Sequence, residues 1–239
     1  MFLHLGQVPT LVVSSADTVK EIFKTHDLNF SSRPKMKVAE VFFHSYKDVA
    51  FSPYNEYWRQ VRKIAVTQLL SAQRTESFRS IRKEEGDLMI KRITQSCTSA
   101  TPVVDLSEIL PSLAMDVTCR VALGWKYSGD DNGGGWDFLR LVKEFLYLSG
   151  TFNIGDFIPA LAWVNHFNGF NAMLDRTSKE MDSFLESVIE EHIHRRGGQG
   201  HVDDFVDVLL QIEKEDPING VPFARDNTKA LILVVIFTI

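Results

Sequence analysis

The 239-residue sequence predicts a mainly α-helical fold with a small β component. Three observations carry this. Apolar residues recur at helical spacing over long runs, as in Phe138, Leu141, Val142, Phe145 and Leu148. Serine and aspartate at helix starts and glycine at helix ends punctuate those runs. Strand-like residues are confined to the first dozen positions and a few brief extended pieces.

The elements follow in order. Phe2 to Val13 reads as two short strands around Gly6-Gln7, with Pro9 marking an edge. Ser14 or Ser15 then caps a helix carrying Ala16, Val19, Ile22 and Phe23, which ends by Asp27. Ser31 to Pro34 is extended, because the residue before proline avoids the helical region. Lys35 to Tyr46 is a loop with a helical turn at Val38 to Phe43. A helix starting near Asn55 runs to about Leu70, and Ser71 opens another that carries Phe78, Ile81, Leu88 and Ile93 and fades near Ser96.

Val103-Val104 reads as a brief strand. Ser107 to Leu123 is a helix with Leu110, Ala114, Val117 and Val121 on one stripe and Gly124 at its end, Pro111 pushing its regular part later. Ser128 to Gly135 is a flexible loop by composition, and Trp136 to Ser149 is a helix. Thr151 to Asn165 is a loop of apolar side chains broken by Gly155 and Pro159. A long amphipathic helix occupies about His166 to Arg196, with Phe170, Met173, Phe184, Leu185, Val188 and Ile189 inward. Asp203 to Glu213 is helical, Ile218 to Val221 is a tight turn, and Asp226 caps a last helix from Asn227.

Composition narrows function. With 44% hydrophobic and 24% charged residues the chain is an ordinary globular one, able to bury about 70% of its unfolded surface. A net charge of -5 gives no reason to expect nucleic acid as a partner. Cys97 and Cys119 are far apart, without a CxxC or Cys/His cluster, so no disulfide framework or zinc site is indicated and a reducing compartment fits. The opening MFLHLGQVP lacks the basic region of a signal peptide, and the longest apolar run, Ala230 to Ile239, is too short to span a bilayer. No membrane anchor is therefore expected.

The most informative stretch is Asp48 to Lys63, DVAFSPYNEYWRQVRK. Trp58 and Arg62 are four apart on a helix, so an indole N–H and a guanidinium share one face. Such a donor-only pair suits an anionic group held against an apolar wall. Arg59 and Lys63 extend the positive charge along a neighbouring line. Taken alone, a buried tryptophan and a solvated arginine on an amphipathic helix would explain the first two residues.

This stretch resembles the haem-thiolate monooxygenases, the cytochromes P-450, and among them the plant A-type group. Leu5 to Pro34, Asp116 to Gly129, Asn153 to Asn165 and Asp203 to Glu215 resemble the same group in the same order. That ordered agreement outweighs the bland reading. Asn55 departs from the group's usual glycine but also tolerates turn geometry. The resemblance implies the amino-terminal part of the cytochrome P-450 fold, one partial domain over 1–239. Where the family continues Lys229 to Leu233 into the oxygen-activating helix with its acid–alcohol pair, this sequence has VVIFTI. The cysteine loop that ligates iron would lie beyond, and neither Cys97 nor Cys119 sits in a glycine-rich loop, so no metal ligand is assigned.

The resemblance further implies haem as cofactor, with Trp58 and Arg62 hydrogen-bonded to a propionate and the cofactor incompletely housed. It implies insertion of one oxygen atom from O2 into a small lipophilic substrate, with NADPH-derived electrons delivered by a cytochrome reductase; this stretch alone is expected to be inactive. Arg59 and Lys63 become reductase-contact candidates, though a solvated face explains them equally. Phe42, Phe51, Phe152, Ile154 and Phe157 become substrate-pocket candidates, though aromatics at helical spacing more often form core. A full-length member would sit on the cytoplasmic face of the endoplasmic reticulum membrane, and this anchor-less stretch in the cytoplasm.

A different class stays open: a non-catalytic helical protein or interaction module that binds no haem. His192 and His194 do not share a helical face and read as dipole-favoured rather than metal-binding. Glu84-Glu85 and Glu190-Glu191 read as solvated faces.

Overall fold

The computed structural model describes residues 1–98, 103–126, 137–195, 204–214 and 223–238. The expected mainly helical architecture is present, with one antiparallel hairpin as the sheet among the described residues: β1 (Phe2–Leu5) pairs with β2 (Val8–Leu11), Phe2 opposite Leu11. Gly6 at the hairpin tip has φ +63°, and a Cβ there would stand 2.4 Å from the Phe157 carbonyl oxygen. Both conditions demand glycine. The Gln7 N–H donates to that same carbonyl at 2.7 Å and tethers the hairpin to the middle of the chain.

Helix α1 (Ala16–Thr25) is capped by Ser15, whose hydroxyl accepts from the Thr18 N–H. An unforeseen turn, α2 (Asp27–Phe30), follows it. Ser31 closes α2 with helical dihedrals, so the expected extended segment begins after it. The Val38 to Phe43 turn is a short helix, α3 (Lys37–Phe42), which buries Val38, Ala39 and Phe42. The expected helix to Leu70 is regular only over α4 (Glu56–Ile64); Ala65–Leu69 is a π-helical turn, with the Leu70 N–H reaching back to the Ala65 carbonyl. The next expected helix is two, α5 (Ala72–Ser77) and α6 (Arg79–Cys97), broken at Phe78, whose ring turns inward against Phe205. Burying that ring decides the break.

Val103-Val104 forms no strand; Val103 is exposed just before α7 (Leu106–Leu123). Asp105 caps α7, so the helix starts before Ser107 and carries Pro111 on its exposed side, where the carbonyl left unpaired faces solvent. Its buried residues are Asp116, Thr118, Cys119, Val121, Ala122 and Leu123, whereas Leu110 and Ala114 are exposed. The stripe expected from spacing was therefore rotated. The loop at Ser128 to Gly135 and the turn at Ile218 to Val221 lie outside the described residues.

Helix α8 (Phe138–Gly150) buries all five of its predicted positions. The apolar stretch after it is not a plain loop but α9 (Ile154–Phe157), a 3-10 turn (Pro159–Leu161) and α10 (Val164–Phe167). Asn153 makes this possible: its Oδ1 accepts both the Gly155 N–H at 2.9 Å and the Asn165 Nδ2–H at 2.7 Å. Gly169, at φ +77°, separates α10 from α11 (Phe170–Arg195), so the long helix starts later than expected. Its 26 residues span about 39 Å.

Helices α12 (Phe205–Lys214) and α13 (Arg225–Thr238) are the last among the described residues. Asp226 lies inside the first turn of α13, not at its cap, and pairs with Lys47 at 2.6 Å. Every residue from Asn227 to Ile236 is buried, and α13 packs on α7, α11 and α12. A helix buried all round sits at the centre of its core. Phe145 stacks on Phe237 at 3.9 Å and Phe138 on Phe184 at 4.7 Å, tying α8 to α13 and α11. Among the described residues, no helix is long and apolar enough to cross a membrane.

Candidate functional site

Helix α4 begins where Asn55 Oδ1 accepts the Trp58 backbone N–H at 2.9 Å. The loop before it is organised by Asp48, which is fully buried. Asp48 Oδ1 accepts the N–H groups of Ala50 at 2.6 Å and Phe51 at 2.7 Å. The indole Nε1–H of Trp58 turns back and donates to the Val49 carbonyl at 2.9 Å. Arg33 Nε donates to the Ala50 carbonyl at 3.1 Å, and the Phe51 ring stacks on Phe43 at 5.3 Å.

The sequence expectation that Trp58 and Arg62 share a face is met. The Arg62 guanidinium lies over the Trp58 ring, 5.0 Å from its centre. Arg62 is exposed, and no carboxylate pairs with it among the described residues. A planar cation stacked on an indole, with its donors uncommitted, fits a carboxylate ligand. The indole N–H differs from expectation in already having a protein acceptor. Arg59 pairs with Glu56 at 2.8 Å and leans over Tyr54, while Lys63 is exposed. Tyr57, on the other side of α4, accepts a hydrogen bond from Asn227 Nδ2 at 2.5 Å and so joins α4 to α13. Burial pushes the Tyr57 phenol up to about 12.

The five apolar candidates fall in two places. Phe42 is buried edge-on to Phe145 at 4.9 Å, and Phe51 is half-buried on Phe43. Phe152, 71% exposed, stacks on Phe157 at 5.0 Å, with Ile154 half-buried beside them on α9. A cavity of about 470 Å³ opens between α3, α11 and α13, lined by Phe42, His44, Met181, Asp182 and Leu233 among others. Phe42 alone of the five lines it. His44 faces Asp182 and Asp226 at 3.4 and 3.9 Å. Burial holds its ring below the usual histidine range despite those carboxylates.

Cys97 is exposed and Cys119 is buried in the core, where burial pushes its thiol up to about 12. His192 was expected only as a dipole-favoured helix-end residue. Instead it is buried beside Asp204 and Asp207. Its Nδ1 lies 2.7 Å from the Val188 carbonyl and its Nε2 2.8 Å from Asp204 Oδ2. Both partners are acceptors, so both ring nitrogens carry protons. Burial opposes that charge, but the bond to Asp204 and its negative charge outweigh it and raise the ring above the usual histidine value. Asp204 and Asp207 also accept each other's backbone N–H, capping α12. Glu85 is a second correction: it is not solvated but buried, held by Arg120 at 2.6 Å and by Lys126. Spacing from α6 to α7 carries no signal for such a pair.

Comparison with known proteins matches the chain and its fold to one family. The cytochrome P-450 family model covers residues 1–238. Cytochrome P-450 736A117 of Prunus mume is 48% identical over 98% of this chain and 45% of its own. Cytochrome P-450 71A1 of Persea americana is 46% identical over 98% of this chain and 47% of its own. A zebra fish cytochrome P-450 structure with progesterone superposes with a TM-score of 0.72 at 21% identity, over 97% of this chain and 51% of that one. The chain spans about half the length of the curated relatives it matches. With the family model running over all but the last residue, this chain belongs to the cytochrome P-450 family.

Proposed function

We propose that this chain is the part of a haem-thiolate monooxygenase that holds a haem propionate, with Arg62 and Trp58 as the holding pair. One observation carries the reading: the Arg62 guanidinium is stacked, exposed and without a carboxylate partner among the described residues. The indole provides the wall against which that cation is aligned, and its N–H is oriented by Val49. When bound, haem supplies the iron centre at which oxygen is activated. What this chain supplies is binding and orientation: each charge-assisted bond from Arg62 to a propionate contributes about 1.5–3 kcal/mol. Neither cysteine fits an axial ligand, Cys119 being a buried thiol and Cys97 lying at the end of α6. The iron's thiolate and the monooxygenase reaction therefore require residues beyond these.

In the same reading Arg59 and Lys63 face an electron-donating reductase, and a small lipophilic substrate meets Phe42 at the cavity it lines, with Phe51, Phe152, Ile154 and Phe157 as further contacts outside that cavity. Full-length protein with Arg62→Ala tests the central claim. The haem-to-protein ratio after purification is expected to fall, with Arg62→Lys retaining part of it; an unchanged ratio overturns the assignment. The commitment of the Trp58 N–H to Val49 favours one rival, a helical module that never binds haem. Under that rival, full-length protein shows no carbon-monoxide band of thiolate-ligated iron.

A further inference from the structure

We propose that Asp48 is a positioning residue for Trp58, acting through the peptide unit between Val49 and Ala50. A peptide unit is planar, and its carbonyl and N–H point in opposite directions. The Ala50 N–H of this unit is held by Asp48 Oδ1 at 2.6 Å, and its Val49 carbonyl accepts the Trp58 indole N–H at 2.9 Å. Asp48 and Trp58 thus grip opposite edges of one plate, and turning the plate moves the acceptor away from the indole. The next unit repeats the device: its Phe51 N–H is held by Asp48 Oδ1 at 2.7 Å, and its Ala50 carbonyl takes Arg33 Nε at 3.1 Å.

The second oxygen makes the choice of aspartate informative. Asp48 is 0% exposed, and its Oδ2 is buried with no hydrogen-bond partner. Burial pushes the carboxyl above the usual range, against the pull of the Phe51 and Ala50 N–H groups. A residue kept only for packing would not bury a carboxylate half unsatisfied. What it provides is one strong acceptor placed for two successive N–H groups. The resulting rigid plate fixes the indole on which the Arg62 guanidinium is stacked.

The cofactor consequence rests on the propionate reading, but the geometry does not, so the two are separable. The test is hydrogen exchange of tryptophan indole N–H groups by NMR in the 239-residue chain, without haem. In Asp48→Ala, exchange at Trp58 is expected to accelerate about tenfold while Trp125 and Trp163 keep their rates. Asp48→Asn preserves the Oδ1 acceptor and is expected to stay within about threefold of the parent. Unchanged Trp58 exchange in Asp48→Ala overturns the proposal, as does equal acceleration at Trp58, Trp125 and Trp163. Lost protection in Asp48→Asn overturns it whether or not the alanine variant folds. Haem retention in full-length Arg62→Ala tests the propionate reading separately, so unchanged retention there with the exchange results intact leaves this proposal standing and overturns only that reading.

Discussion

Two buried carboxylates in this molecule are partnered in opposite ways. At the junction of α11 and α12, Asp204 has both oxygens occupied, Oδ1 by the Asp207 N–H and Oδ2 by a protonated His192. In the loop entering α4, Asp48 uses one oxygen twice and leaves the other unmatched. The first is closed on itself and joins two helices. The second spends its hydrogen-bonding capacity on aiming a backbone plate at an indole whose other side carries an uncommitted guanidinium. Completeness of pairing separates a structural lock from the support of a binding face.

The largest effect that would sharpen this contrast is at the lock. Asp204→Ala strips the buried His192 of its carboxylate and α12 of a capping acceptor, and is expected to cost about 1–3 kcal/mol, measured by denaturant unfolding. A loss below about 1 kcal/mol would remove the distinction. Next comes pH. His192 binds its proton more tightly folded than unfolded, so its contribution is fully present below the unfolded value near 6.5 and fades as pH rises through the higher folded value. The parent chain should therefore lose stability over that upper range, and His192→Gln should flatten the dependence. The smallest effect belongs to the binding face. Arg62→Ala is expected to change stability by less than about 0.5 kcal/mol, because the side chain is exposed and pairs with no carboxylate among the described residues. A cost of 2 kcal/mol or more, on the order of a buried ion's loss, would make Arg62 a part of the fold.

Much of the fold was legible because it rests on local patterns. The Phe138 to Leu148 stripe became the buried face of α8, and Ser15, Asn55 and Ser71 cap the helices they precede. What escaped was set by distant partners. The break at Phe78 depends on Phe205, more than a hundred positions on, and the buried face of α7 was set by α6, α13 and α12 packed against it rather than by its own spacing. The one-turn helices after α8 depend on Asn153 meeting Asn165. At the site, the shared face of Trp58 and Arg62 follows from a spacing of four. The acceptor for the indole could not be read, since it is a backbone oxygen and carries no residue signature. The available clue was Asp48 itself, a residue type that bonds backbone N–H groups a few positions on.

The π-helical turn at Ala65–Leu69 gives the site an adjustable phase. A π turn amounts to one surplus residue in an α-helix, and each residue advances an α-helix by about 100°. Excising Gln68 would let the segment wind regularly while Leu69 stays anchored in the core. The Trp58 and Arg62 face would then swing about a quarter-turn away from the Val49 carbonyl. A single codon's worth of slack thus sets the direction in which this helix presents its cation.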